Sequence, residues 1–290
     1  MIFVLLMYVA ASPPTLFARG AFNLGAPFFL LPVSAAENYK DVIERAQQLS
    51  LRHERSRAIQ LLLKTVQKDA KKGTAPKEVS AALEDIAMDF YGEKSQQLYE
   101  LAISNRLNNP PMALQWLTEA QKVEPDNAQI RLEISRTSLL LGDCSHAESE
   151  ITALLKEIPV LEALQLGAAQ VEVCQGRFEK AAQLRSAVDT KKSNFTVFWL
   201  SLEADRSIRS GQHQKASDLA DQMTAVDARF PEAHYWKWKS LTEQKMAAEL
   251  PAQDYISHCR KLTPRQIRDY LPEPMLCRRL SEVEASLKKQ

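Results

Sequence analysis

The sequence predicts an all-α protein built from repeated antiparallel helical hairpins, and three observations support this prediction. Only eight glycines occur in 290 residues, whereas alanine, leucine, glutamine, glutamate and lysine, which favour helices, are abundant. Apolar residues recur at helical spacing from Tyr39 onward. A turn pattern also returns three times, with Gly142, Gly176 and Gly211 lying 34 and 35 residues apart.

Small residues accompany each of these glycines at fixed distances. An alanine follows each glycine by five residues, and another small residue precedes it by seven. Small side chains at these places let two antiparallel helices approach closely on either side of a tight turn. The small residues are Ser135 and Ala147, Ala169 and Ala181, and Ala204 and Ala216.

This period of 34 residues, made of two helices, resembles the tetratricopeptide repeat, which has the same small positions, an inter-helix glycine and a closing proline. Pro125 and Pro159 match the closing proline, whereas Ser193 and Ala228 take its place in the next two units. The large aromatic residues of the family pattern are mostly absent. Its tryptophan-type position holds Arg131 and Gln165, and its tyrosine-type position holds Ser138, Glu172 and Ser207.

The resemblance covers roughly residues 39–262 and implies a right-handed α-solenoid of antiparallel hairpins with a C-terminal capping helix. In this family the first helices of the hairpins line a concave groove, and their outward residues choose the protein or peptide ligand. An error of one position in register would instead make some of these residues part of the core. The predicted groove residues are Gln129, Leu132, Arg136, Leu139, Leu166, Gln170, Val173, Phe198, Ser201, Asp205, Ile208 and Trp236.

Many of these groove positions are apolar, which suits an extended segment or an amphipathic helix as the ligand. We therefore expect them to be exposed to solvent in the unbound protein. Chaperone adaptors of the family hold a C-terminal carboxylate with lysine and asparagine. Arg136, Gln170 and Asp205 stand at the corresponding level here, so the resemblance does not imply that activity.

The chain divides into four predicted regions. Residues 1–36 form an apolar leader, and residues 37–92 form a divergent hairpin followed by an unpaired extra helix over Lys77–Tyr91. Residues 93–230 contain the regular repeats. Residues 231–290 form a C-terminal helical repeat and a cap, in which Met275–Lys289 is predicted as one helix. A cap covers the apolar surface at the open end of a repeat array.

The leader has the composition of a cleavable secretory signal. Two apolar runs, Met1–Ala11 and Ala21–Val33, flank the single charge of Arg19, and small residues follow at Ser34–Ala36. Neither run reaches the about 20 residues that a membrane-spanning helix needs. We expect export to the periplasm or outside the cell, with no stable membrane span after cleavage. The alternative is a buried hydrophobic N-terminal helix.

Four cysteines form an even set, which in an exported chain indicates disulfides. Cys144 follows the Gly142 turn and Cys174 precedes the Gly176 turn, so stacked repeats would place them side by side. Cys259 and Cys277 lie on the last two long predicted helices and could tie the cap to the array. Free or buried thiols are the alternative for each pair. A zinc site would need all four to converge across distant repeats, which the architecture disfavours.

Motifs that announce catalysis or cofactor binding do not occur in the sequence. Metal-ligating, nucleophile-elbow and phosphate-loop spacings are missing, and the five histidines are dispersed. The formal net charge of +1 gives no electrostatic reason to expect nucleic acid. We predict no cofactor and no bound metal.

These observations together predict a non-catalytic interaction scaffold or adaptor of the bacterial cell envelope. Its partner would be an envelope protein or peptide bound in the groove. Two alternatives stay open: an enzyme or accessory domain of cell-wall processing, and a structural subunit of a larger envelope assembly. A deep pocket with two close ionisable groups would favour the enzyme.

Overall fold

The computed structural model describes residues 39–70, 77–190 and 192–288, the side chains of residues 69 and 70 excepted. These residues form fifteen helices and no strand, which confirms the all-α prediction. The predicted leader lies outside the described residues. The helices are α1 Tyr39–Leu51, α2 Arg55–Ala70, α3 Lys77–Met88, α4 Glu93–Asn105, α5 Pro110–Val123, α6 Ala128–Leu141, α7 Cys144–Glu157, α8 Glu162–Cys174, α9 Phe178–Ser186, α10 Thr196–Arg209, α11 His213–Val226, α12 Pro231–Glu243, α13 Glu249–Arg260, α14 Pro264–Asp269 and α15 Leu280–Leu287.

The helices pack in the order of the sequence, which gives a helical repeat-like fold. Each helix from α4 to α13 contacts the next one along the chain. Helix α6 also contacts α8, α8 contacts α10, and α10 contacts α12. We call these four helices the first-helix row. The second helices α7, α9 and α11 connect successive members of the row, and α13 pairs with its last member, α12.

The three predicted glycine turns separate the helices of the regular pairs. Gly142, Gly176 and Gly211 adopt φ values of 80°, 74° and 71°, which residues with a side chain rarely adopt. In each turn the N–H of the residue after the glycine donates to the carbonyl five residues earlier in the chain. The Asp143 N–H, for example, donates to the Ser138 carbonyl at 2.9 Å. This is the hydrogen-bond pattern of a Schellman helix end.

The small positions of the repeats are buried where paired helices meet. Ala147, Ala181 and Ala216 are at most 2% exposed. The Ser135 hydroxyl donates to the Ala147 carbonyl across the first regular pair at 3.2 Å. The close approach predicted from the small side chains is therefore present.

The N-terminal part is organised around the buried side chain of Arg55. Its guanidinium donates to Glu124 at 3.0 Å, to Asp126 at 2.9 Å and to the Ile86 carbonyl at 3.1 Å. It also lies over the ring of Tyr91, 4.0 Å from the centroid. These contacts join the start of α2 to the end of α3 and to the α5–α6 turn.

Helix α3 was predicted to be unpaired, but in the structure it packs against α1, α2 and α6. Its buried residues Val79, Leu83 and Ile86 belong to the same core cluster as Leu132 and Leu139 of α6. The prediction of an unpaired helix was wrong because the apolar face of α3 packs against the hairpin α1–α2 and against α6.

The C-terminal region also differs from its prediction. Residues 274–279 form turns, and the last helix spans only Leu280–Leu287 rather than Met275–Lys289. The short helix α14 was not predicted. Thr263 begins it with a reciprocal capping box to Gln266, and Pro264 stands at its first helical position.

The cysteines form two disulfides, as the sequence predicted. Cys144 pairs with Cys174 across an α-carbon distance of 5.9 Å, and Cys259 pairs with Cys277 across 5.6 Å. Among the described helices none is long and apolar enough to cross a membrane.

We predict that Ala216→Leu lowers the free energy of unfolding by about 1–3 kcal/mol, because α10 and α11 have no space for the added carbons. Ala225→Leu in the same helix is the matched control, since Ala225 is exposed and should change stability by less than about 0.5 kcal/mol. Urea unfolding measures both. Equal losses would contradict the assignment of the small positions.

Candidate functional site

The predicted groove residues all lie on the first-helix row, but they do not form an open groove. Nine of the twelve are buried, and the other three are partly buried. The expectation of solvent exposure is therefore wrong for most of them. The buried nine are Leu132, Arg136, Leu139, Leu166, Gln170, Val173, Phe198, Ser201 and Trp236, and the partly buried three are Gln129, Asp205 and Ile208.

The row is covered by residues 270–279, which we call the cover segment. Arg106, at the end of α4, donates to the carbonyls of Leu271 at 3.0 Å and Glu273 at 3.1 Å. Gln170 of α8 donates to the carbonyl of Pro272 at 2.7 Å. Three consecutive carbonyls of one irregular segment are thus bound by side chains from distant elements.

Side chains of the row also bind the Glu273 carboxylate. Ser201 of α10 donates to one Glu273 oxygen at 2.6 Å and accepts from the indole N–H of Trp236 at 2.9 Å. The other Glu273 oxygen accepts from the Met275 N–H at 3.1 Å. The carboxylate is 7% exposed but has a partner on each oxygen.

A buried ion pair fixes the far end of the cover segment to α12. Glu232 accepts from the Arg279 guanidinium at 3.1 Å and from the Cys277 N–H at 2.8 Å. The guanidinium lies 4.4 Å and 4.7 Å from the ring centroids of Tyr235 and Trp236. The disulfide between Cys277 and α13 adds a covalent link at the same place.

Burial changes the pKa of the Glu232 and Glu273 carboxyl groups. Removal from water raises the pKa of Glu232, although the Arg279 guanidinium acts in the opposite direction. Burial likewise raises the pKa of Glu273, against the hydrogen bond from Ser201 and the charge of Arg279. The folded state therefore retains protons that these groups lose more readily in the unfolded chain.

Residues of all four helices of the row and of the cover segment line a cleft of about 370 Å³. Apolar walls come from α6, α8, α12 and Met275, and the polar residues include Asp205, Glu273 and Arg279. Asp205 pairs with Arg209 at 2.8 Å. Six predicted groove residues line this cleft: Leu139, Gln170, Val173, Ser201, Asp205 and Trp236.

The other six predicted groove residues make contacts inside the protein and do not line the cleft. Gln129 donates to the Tyr99 hydroxyl at 2.5 Å, and Arg136 pairs with the buried Glu133. The remaining four pack in hydrophobic clusters, either fully buried or at their edge: Leu132, Leu166, Phe198 and Ile208.

Sequence reasoning missed Arg106, Glu273 and Arg279. In the sequence, Pro272 and Pro274 indicate only that the segment around them is not helical. The prolines did not indicate which surface the segment would contact, because the side chains that donate to its carbonyls lie at least 100 residues away in sequence.

The described residues contain no group of three or more potential metal ligands. His234 and His258 stack with ring centroids 4.7 Å apart, but they lie on α12 and α13 and do not line the cleft. Comparison with known proteins adds no family to this picture. No protein-family model and no curated protein matches the chain.

We predict that Gln170→Ala lowers the free energy of unfolding by about 1–3 kcal/mol, because the buried Pro272 carbonyl loses its donor. If Gln170 were exposed on its helix, as the sequence implied, its side chain would contribute almost nothing to the free energy of unfolding. Gln214→Ala serves as the control, since Gln214 is exposed on α11 and should cost less than about 0.5 kcal/mol. Thermal or urea unfolding distinguishes the two; a small effect at Gln170 would argue against the covered row.

We also predict a pH effect from Glu273. Because its folded pKa is raised, its contribution to stability is complete below the unfolded value of about 4.3 and is lost as pH rises through the folded pKa. Glu273→Gln should therefore flatten the fall in unfolding free energy above about pH 4.3. Urea titrations across this range test the slope. Glu243→Gln, on the exposed side of α12, should leave it unchanged, and an unaltered slope in Glu273→Gln would refute the assignment.

Proposed function

We propose that this protein is a non-catalytic scaffold or adaptor of the bacterial cell envelope. In this proposal its repeats are tetratricopeptide-like and wind as a right-handed α-solenoid. The partner is a protein or peptide segment of the envelope that binds in the cleft between the first-helix row and the cover segment. No cofactor takes part.

The observation that carries this proposal is the way the row, together with Arg106 at the end of α4, binds the cover segment. Arg106 and Gln170 grip backbone carbonyls of residues 271–273, and Ser201 binds the Glu273 side chain. Backbone hydrogen bonds combined with side-chain contacts are how recognition surfaces bind extended peptides. The row therefore has the chemistry to hold an irregular chain, and the cleft continues the same surface.

Export is supported by the two disulfides, because disulfides persist in oxidising compartments such as the periplasm. The apolar leader at residues 1–36 supplies the proposed cleavable signal. Together they support a location in the periplasm or outside the cell for the proposed adaptor.

The engagement of the polar groups in the cleft favours binding over catalysis. Both Glu273 oxygens already accept hydrogen bonds, and Asp205 is paired with Arg209. A general acid or base needs an oxygen within reach of a reacting group. An enzyme of cell-wall processing therefore remains an alternative, but no contact in the cleft favours it.

Photo-crosslinking in cells tests the proposed site. Leu141 lines the cleft and is 39% exposed, so a photoreactive residue there should capture a partner without disturbing the fold. Val226 on α11 is 55% exposed away from the cleft and provides the control. We expect an adduct at position 141 that is at least fivefold stronger than at 226. Adducts of equal identity and strength at both positions would contradict the site.

A second variant separates partner binding from nonspecific capture. Val173→Glu would disrupt the core, since Val173 is 2% exposed, whereas Arg209→Glu changes the cleft mouth at an exposed side chain. Arg209→Glu should change the yield of the adduct at position 141 while leaving the melting temperature within the range expected for a surface substitution. An unaffected yield would show that the captured protein does not contact the cleft.

A further inference from the structure

Resting on the proposed function, we infer that the disulfide between Cys144 and Cys174 is a thiol–disulfide exchange site. A cysteine in the bound segment of the partner protein becomes linked to Cys174 through a mixed disulfide. The disulfide lies at the wall of the cleft, because Cys174 is one of the lining residues. The exchange links one partner to one protein molecule and is not catalytic.

The two sulfurs of this disulfide differ in their access to the cleft. Cys174 is the last residue of α8, is partly buried and lines the cleft together with Gln170 and Val173. Cys144 is also partly buried but does not line the cleft. Exchange depends on which sulfur an incoming thiolate can reach. A thiolate held in the cleft therefore attacks Cys174.

The helix ends make Cys144 the better leaving sulfur. Cys144 is the first residue of α7, where the helix dipole and the N–H groups of the first turn stabilise a thiolate. Cys174 stands at the carbonyl end of α8, where the dipole disfavours a thiolate. A leaving thiol of lower pKa departs faster. Asp143 opposes this effect with its charge, because its carboxylate caps α7 by accepting from the His146 N–H at 3.0 Å.

The cleft also contains an acceptor that lacks a donor, one helical turn before Cys174. The Gln170 amide nitrogen donates to the Pro272 carbonyl at 2.7 Å, whereas its amide oxygen is buried and has no hydrogen-bond partner. The residue is 8% exposed and lines the cleft. Buried acceptors normally have a donor. A main-chain N–H of the bound segment would supply it and hold the neighbouring cysteine beside Cys174.

The exchange step balances without an external oxidant or reductant. The thiol of the partner protein loses its proton to water, and the resulting thiolate attacks Cys174 Sγ. A bond forms between these two sulfurs while the bond between Cys174 and Cys144 breaks. Cys144 leaves as a thiolate and takes up a proton from water. One disulfide has replaced another.

The second disulfide has neither feature and serves as an internal reference. Cys259 and Cys277 are partly buried, but neither lines the cleft. Cys259 lies one residue before the end of α13, and Cys277 lies in the turns of the cover segment. Neither sulfur stands in the first turn of a helix. We therefore expect slower exchange at this pair.

Incubation of the oxidised full chain with a capped Leu-Cys-Leu peptide tests the inference. After acid precipitation, free thiols are alkylated with N-ethylmaleimide, and mass spectrometry of the digested protein follows each disulfide. We expect the disulfide of Cys174 to open at least about tenfold faster than that of Cys259. The early product should carry the peptide on Cys174 and the maleimide on Cys144. Equal rates at the two disulfides, or the peptide on Cys144, would overturn the inference.

A small thiol and a charge variant refine this experiment. N-acetylcysteine amide should react at least about tenfold more slowly than the peptide, because only the peptide is held in the cleft beside Cys174. Equal rates would overturn the choice of a protein segment. Asp143→Asn keeps a helix cap but removes the opposing charge, so it should speed exchange at least about twofold. Asp221→Asn, which alters a surface pair with Lys237, should not, and equal rates in both variants would overturn Cys144 as the leaving sulfur.

Two cysteine variants test the link to a protein partner in cells. Cys144→Ser should increase the amount of a reducible adduct on a non-reducing gel, because no thiolate remains to reverse the link. Cys174→Ser should decrease it. Both variants lose the same disulfide, so a difference between them does not arise from lost stability. Equal amounts of adduct in the two variants would overturn the assignment of Cys174.

The outcomes also separate this inference from the proposed function. A crosslinked partner at position 141, together with equal exchange rates at the two disulfides, would overturn the exchange site and leave the adaptor function standing. Rapid linkage of the peptide to Cys174 without any crosslink at position 141 would support the exchange site and overturn the adaptor function. Failure of both would overturn both.

Discussion

The fold depends on the buried guanidinium of Arg106, which joins three regions of the chain. It pairs with Glu133 of α6 at 3.3 Å and donates to two carbonyls of the cover segment. Burying a charge is costly unless it is paired and hydrogen-bonded, so this arrangement is stable only when all of its partners are present. The end of α4, the centre of α6 and residues 271–273 consequently fix one another. The two hydrophobic clusters on either side meet at this point, since Leu271 belongs to the cluster of α4 and α5 while its neighbour Tyr270 belongs to the C-terminal cluster.

Because the first-helix row is covered, many of its polar residues are buried and form contacts inside the protein. Helix α6 has twelve buried residues, among them Glu133, Arg136 and Ser138, whereas the second helix α7 has three. A helix buried on most of its surface needs partners for its polar side chains, and α6 finds most of them at the end of α4, on α7 and on α6 itself. The surface available for recognition is correspondingly reduced to the cleft, which lies between the row and residues 273–279 of the cover segment.

Local chemistry explains which parts of the structure could be predicted from sequence. The hairpins α6–α7, α8–α9 and α10–α11 were predictable because a glycine in the left-handed region and small residues at fixed distances specify each turn within about 20 residues. The Cys144–Cys174 pair followed from stacking two such units. Gln170 was misplaced because its helix alone suggested exposure, while its actual partner, Pro272, lies 102 residues further along the chain. The cleft residues Asp205 and Trp236 were found through the repeat register, but Glu273 and Arg279 were not, because irregular backbone carries no periodic signal.

The position of the cover segment near the C-terminus makes the order of synthesis matter. Arg106 leaves the ribosome long before Leu271, 165 residues later, and the first-helix row remains bare until the final part of the chain arrives. Contacts this distant in sequence form slowly, because a long loop must close first. The nascent protein thus presents apolar surface of the row until residues 270–279 have been synthesised. A chain terminated before Tyr270 would accordingly not reach the native fold, because it lacks the cover segment that buries the first-helix row.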